Sequence, residues 1–264
     1  MGVLLFRKLL NFPKNALAKL RDQRRSRRYP IGPDFPLKAT LTLLGPSGEP
    51  GTSARWTGRL ADFSSTGASV IMPLAASAKR GHDTTLELRL DHLELRLPCR
   101  IAHFRSMDDH CRCGVALEKT DAAAQKAYLQ LLESVVIGAT FAPTKAKGLP
   151  KDPAGLVRQD YRSDHREARL HVWRDKKTKI LDAFELVIDW HCLRGAAKAA
   201  VPGRTRIQIF SRHGERGADH PWSDPSLGLM RGEHQEFRQL YGYITANLPP
   251  GLPADLRELM RKFC

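Results

Sequence analysis

The stretch Leu86-Glu87-Leu88-Arg89-Leu90-Asp91-His92-Leu93-Glu94-Leu95-Arg96-Leu97 alternates leucine with charge on both sides of a two-residue break. A period of two puts every leucine on one face of an extended chain and every charge on the other. Asp91-His92 then fits a two-residue hairpin loop, although it is not the preferred pair for a primed turn. The stretch reads as an antiparallel hairpin with one dry face. Upstream, Leu37-Lys38-Ala39-Thr40-Leu41-Thr42-Leu43 alternates in the same way. Residues 45–51, rich in Gly and Pro, form a loop, and residues 55–63 and 67–72 are further strands. Downstream, residues 101–104 continue outward and residues 113–117 return. Short antiparallel strands at this spacing predict a closed or nearly closed barrel. From Thr120 onward, Ala124, Ala127, Tyr128, Leu131, Leu132 and Val135 recur at helical spacing. Such a helix can cover an open barrel end with its apolar stripe.

Two polar segments accompany these strands: Arg24-Arg25-Ser26-Arg27-Arg28, and Asp62-Phe63-Ser64-Ser65-Thr66-Gly67 at a strand end and turn. In this order they resemble the paired signature of the PilZ family, R-x-x-x-R followed by [D/N]-x-S-x-x-G. The resemblance runs from about Asp22 to Gly138 and leaves the C-terminal half unassigned. It implies a six-stranded antiparallel barrel with a C-terminal helix, and binding of the bacterial second messenger cyclic di-GMP. It also implies a site of Arg24, Arg28, Asp62, Ser64 and Gly67, with no cofactor besides that ligand. The residue types suit that chemistry. A guanidinium presents a planar fork of donors to a phosphate, or to guanine O6 and N7, and stacks its face on a base. Ionised Asp62 only accepts, which matches the N1–H and N2–H edge of guanine, and Ser64 both donates and accepts. Gly67 is expected to turn with positive φ and to let the backbone approach the ligand. Arg21 and Arg25 also satisfy R-x-x-x-R; Arg24 and Arg28 are preferred because Tyr29 precedes Pro30 and is therefore biased to extended geometry.

Charge is distributed unevenly. Residues 1–28 hold nine Lys/Arg and one acid, net +8 of the chain's +15, while residues 29–155 and 156–264 carry only +2 and +5. That concentration points to an anionic partner at the N-terminal arm. The arm is expected to be ordered by its ligand. A basic nucleic-acid-binding protein, its arm tracking a phosphate backbone, is the alternative. Asp62 disfavours it, because a carboxylate is a liability on a general phosphate track. Residues 1–20 are apolar and basic, but too short in their apolar run to span a bilayer. They lack the order of a signal peptide. Packing on the protein or a partner is favoured over peripheral contact with the inner membrane.

Five scattered cysteines, Cys99, Cys111, Cys113, Cys192 and Cys264, suggest reduced thiols in a cytoplasm. Cys111 and Cys113 share one strand face, expected to be the core, and no second pair stands at metal-ligand spacing. His82, His92, His103 and His110 read as surface or half-buried residues. No phosphate loop, zinc motif or nucleophile elbow occurs, so there is no metal or catalytic residue to assign and the chain is not read as an enzyme. The domains are a basic apolar segment 1–20, a barrel domain 21–138, a Pro/Gly/Lys-rich linker 139–155, and a smaller α+β domain 156–264 of unknown function. In that last domain residues 180–192 read as one strand. Phe184, Leu186, Ile188, Trp190 and Cys192 are expected on one face, with Glu185, Val187, Asp189 and His191 on a solvated other face. Trp173, Trp190 and Trp222 are expected in the packing. Helices follow, one from Glu233 and a short one around residues 256–263.

Overall fold

The computed structural model describes residues 27–44, 53–90, 93–145, 150–165, 167–197, 207–217, 219–231 and 235–263. Arg24, Cys264 and the expectations placed on residues 1–20 lie outside the described residues. The chain forms two compact units, residues 1–135 and 136–264.

The first unit contains β1 (Tyr29–Pro30), β2 (Lys38–Leu44), β3 (Ser53–Ser64), β4 (Gly67–Met72), β5 (Asp83–Leu90), β6 (Leu93–Ser106) and β7 (Cys111–Leu117). Neighbours run β3-β2-β5-β6-β7-β4, and β3 pairs with β4 to close six antiparallel strands into a barrel. The leucine stretch does what its period demands. Leu90 pairs with Leu93, so the loop between them has two residues, and Leu86–Leu97 and Leu88–Leu95 are cross-strand pairs. Leu86, Leu88, Leu95 and Leu97 are buried with Leu41, Val70 and Cys113. Each fully buried aliphatic side chain contributes about 1.5–3 kcal/mol to holding the strands in this register. A one-residue slip would turn the whole set to water. The two expected pieces at residues 93–97 and 101–104 are one long strand, bent where the β6–β7 register shifts between Ile101 and His103.

Helix α1 (Ala122–Ala139) follows β7. It starts after Asp121, not at Thr120, because the Asp121 carboxylate accepts from the N–H groups of Ala123 (2.9 Å) and Ala124 (2.8 Å). The division between the units falls inside this helix.

The second unit is a seven-stranded antiparallel meander: β8 (Ala142–Thr144), β9 (Leu156–Arg162), β10 (Ala168–Asp175), β11 (Leu181–Ile188), β12 (His191–Ala196), β13 (Ile207–Ser211) and β14 (Gly228–Leu229). Helices α2 (Gln235–Ala246) and α3 (Ala254–Arg261) complete it. Three expectations are corrected here. Residues 142–144, assigned to the linker, pair with β9 and begin the sheet. Residues 180–192 are not one strand: Asp189, at φ 51°, and Trp190 turn the chain between β11 and β12. Cys192 therefore pairs with Val187 and packs against Phe210 and Leu227, on the opposite face from Phe184, while Trp190 is exposed at the hairpin tip. Finally, the face carrying Glu185 is dry. Glu185 is fully buried and accepts from Arg194 Nε (2.8 Å) and from the backbone N–H groups of Trp222 (2.7 Å) and Ser223 (2.9 Å). Trp222 meets Trp173 edge to face at 5.1 Å. Phe184, on the other face, stacks on Tyr241 of α2.

Candidate functional site

The segment Asp62-Phe63-Ser64-Ser65-Thr66-Gly67 is the tight connection from β3 to β4. Phe63 points inward, 1% exposed, and stacks on Tyr128 of α1 with ring centroids 4.6 Å apart. The Tyr128 hydroxyl donates to the carbonyls of both Ser64 (2.8 Å) and Gly67 (2.9 Å). Burial raises its pKa well above the ordinary phenol value, so it remains a donor at neutral pH. The Ser64 hydroxyl donates to the Gly67 carbonyl at 3.0 Å, within the turn. Ser64 is thus a buried clamp of the turn's own backbone. Gly67 differs from the expectation: its φ is not positive. A Cβ there would stand 2.1 Å from the carbonyl oxygen of Val115, so close approach of β4 to β7 is what demands glycine.

Asp62 faces the other way. The β3–β4 register shifts between Leu60 and Asp62, and this irregularity lets Leu60 and Phe63 both enter the core while Asp62 turns outward. There it is only 7% exposed. One oxygen accepts from Arg28 Nη1 at 2.6 Å, and the other accepts from Arg112 Nη2 of β7. The Arg112 Nε–H also donates to Ser69 Oγ on β4, at 2.9 Å. The two arginine side chains are nearly half exposed, 44% for Arg28 and 45% for Arg112, whereas the Asp62 side chain between them is 10% exposed. A carboxylate bridging two arginines leaves a local surplus of one positive charge facing solvent.

The arm reaches Asp62 because β1 lies along β3. Tyr29 pairs with Phe63, Pro30 with Asp62, and the Ile31 N–H donates to the Ala61 carbonyl at 3.0 Å. Proline has no N–H to offer a ladder, which suits this short edge pairing. The Arg27 guanidinium lies 5.2 Å from the ring centre of Tyr29.

Arg28 and Asp62 therefore meet at the junction of arm and barrel, while Ser64 and Gly67 are buried in the adjoining turn. Sequence reasoning missed Arg112 and Ser69. The alternation at Cys111-Arg112-Cys113 signals that Arg112 points outward when both cysteines point in, as they do. That β4 and β7 bring it beside Asp62 follows only from strand order. His103, read as ordinary, stands close by. Its ring lies where a side chain on Gly114 would be, with Cε1 1.9 Å from the position of a Cβ. Burial first, then the charges of Arg28 and Arg112, lower its pKa below the ordinary histidine value, while Asp62 opposes them. Burial also pushes the thiols of Cys99 and Cys113 up to about 12, which makes them inert core residues. No cluster of metal-binding side chains occurs among the described residues, and no helix among them is long and apolar enough to cross a membrane.

The family model described as PilZ domain matches residues 22–134. Two similar solved structures are PilZ domains. That of CeSA from a cellulose-synthesizing bacterium is 23% identical and covers 40% of this chain and 94% of its own, with a TM-score of 0.30. The PilZ domain with c-di-GMP of YcgR from Escherichia coli is 14% identical and covers 40% of this chain and 86% of its own, with a TM-score of 0.33. No curated protein matches the chain.

Proposed function

We propose that this chain, whose residues 22–134 match the PilZ domain model, is a cyclic di-GMP receptor that binds its ligand where the arginine arm meets the Asp62–Gly67 turn. The observation that carries this reading is the convergence of Arg28 with Asp62 beside the Ser64–Gly67 clamp, from segments 34 residues apart. Asp62 takes one hydrogen bond on each oxygen from the two arginines, and a carboxylate oxygen has two acceptor sites. It thus retains capacity for the donor edge of guanine. The exposed guanidinium of Arg28 supplies charge for a phosphate or a flat face for a base, and Arg24 is its counterpart on the arm. The same carboxylate argues against a phosphate-backbone track. The signal then passes to residues 136–264 or to a protein partner.

Isothermal titration with cyclic di-GMP, with cyclic di-AMP as the control, tests the reading. Arg28→Ala and Arg24→Ala are each expected to weaken binding by about 1.5–3 kcal/mol, the scale of a hydrogen bond to a charged group. Asp62→Ala is expected to erode the preference for guanine. Wild-type protein that binds neither dinucleotide, or binds both equally, overturns the assignment. Amide exchange tests the relay: protection confined to residues 22–134 at saturating ligand rejects transfer to the second unit.

A further inference from the structure

Arg112 is the second residue of β7, paired with Ile71 on one side and Arg105 on the other, and lies outside the two sequence segments that framed the site. Its guanidinium is set before any ligand arrives. Ser69, fully buried, takes the Nε–H, and Asp62 takes one Nη2–H. Two of the five N–H groups of a guanidinium are thereby committed among the described residues, and the Arg112 side chain is nearly half exposed. Holding a long side chain in one orientation removes much of the entropy cost that a flexible arginine would meet on binding. Opposite it, across Asp62, stands Arg28.

Resting on the cyclic di-GMP reading above, we propose that Arg112 is a further ligand-contacting residue, a guanidinium presented by the barrel wall that faces the one presented by the arm. Arg28 is held through the two-residue strand β1, whereas Arg112 is built into the barrel wall. It supplies a fixed contact for a phosphate or the O6/N7 edge of a guanine. His103 is a built-in reporter of that contact. Its surroundings hold Arg28 from the arm side, Asp62 from β3, Arg105 from its own strand and Arg112 from β7. A phosphate seated on Arg112 offsets part of this positive charge and moves the imidazole titration to higher pH.

The alternative is that Arg112 acts only by holding Asp62, and a mutant cycle separates the two. Cyclic di-GMP is titrated into wild type, Arg112→Ala, Asp62→Ala and the double variant. Direct contact predicts that Arg112→Ala weakens binding about 10- to 100-fold. It also predicts that removing Arg112 still costs about tenfold when Asp62 is already alanine. Equal affinity of Asp62→Ala and the double variant overturns the proposal, as does an unchanged His103 proton titration, followed by NMR, at saturating ligand. Should Arg112→Ala not fold, Arg112→Lys gives the same comparison, keeping the charge but losing the fork. A wild-type protein that gives no binding overturns the underlying reading of the site, and this assignment with it. Wild-type binding with both Arg112 variants at wild-type affinity overturns this assignment alone.

Discussion

Removing one oxygen from Tyr128 tests how the β3–β4 turn is held. Its hydroxyl serves the carbonyls of Ser64 and Gly67 at 2.8 and 2.9 Å, in a site with 1% exposure. Tyr128→Phe keeps the ring, its volume and its stacking on Phe63, so no cavity opens. The Gly67 carbonyl retains the Ser64 hydroxyl at 3.0 Å. The Ser64 carbonyl loses a donor that water cannot easily replace. A buried polar group left unpaired costs about 1–3 kcal/mol, and with one of the two carbonyls still served the expected loss is about 1–2 kcal/mol. Native-state amide exchange in β3 and β4 reads the barrel separately from the second unit. The loss should speed exchange through global opening of the barrel by about 5- to 30-fold. The shared carbonyl supplies a sharper test. In Ser64→Ala the Gly67 carbonyl keeps Tyr128, and in Tyr128→Phe it keeps Ser64; only the double variant removes both side-chain donors. The double loss must therefore exceed the sum of the two single losses. Additive losses, or unchanged exchange in Tyr128→Phe, would refute this account of the turn.

Gly67→Ala should destabilise the barrel by about 1–3 kcal/mol or more, because its Cβ lands on the backbone of β7 and not on a side chain that can swing away; an unchanged urea midpoint would contradict this. In the second unit, Glu185→Gln turns an amide NH₂ toward donors that need an acceptor, and should cost about 3–5 kcal/mol, the scale for breaking a buried ion pair. Tryptophan fluorescence during urea unfolding follows it, since Trp222 joins the same cluster; a wild-type midpoint would show the cluster to be dispensable. Acid stability has a defined sign at Asp255. The hydrogen bond from Arg174 chiefly lowers its pKa below the ordinary value of 3.8, so the unfolded chain binds the proton more readily. The stability this pair supplies is present above the unfolded value and is lost as pH falls through the lower folded one. With Asp255 half exposed it amounts to less than about 1 kcal/mol. The stability gap between wild type and Asp255→Asn should therefore narrow from pH 7 to pH 3, and a gap that widens would reverse the argument.

The barrel was legible because leucine and charge alternate strictly around residues 86–97, and one period admits one geometry. The site was legible in part. Asp62, Ser64 and Gly67 are close in sequence, and Arg28 abuts the proline that sets its strand. Arg112 is 50 residues from Asp62 and reaches it only through the pairing of β4 with β7. No local pattern encodes that neighbour. The second unit was harder for a different reason: both faces of its central strands β10 and β11 are largely buried, so alternation there marks neither face as solvent. A turn at Asp189–Trp190 inside a near-continuous apolar run left residues 180–192 reading as one strand. Glu185 reads as a solvated charge in the sequence because its partners, Arg194 and the backbone at residues 222–223, arrive from the next strand and a distant loop.

Strand β3 carries more partners than a barrel requires. Its first half pairs with β2 and its last residues with β4, and where β2 has ended, β1 takes the vacated side at Phe63 and Asp62. Among the described residues, Tyr29 and Pro30 pair with this stretch of strand margin and the Ile31 N–H adds a bond to Ala61. Whatever draws the arm away bares unsatisfied backbone donors and acceptors beside Asp62, a seam onto which another extended chain could be sewn. Whatever secures the arm seals it. The attachment of β1 thus makes the state of the arm readable from outside as an edge that is either open or closed.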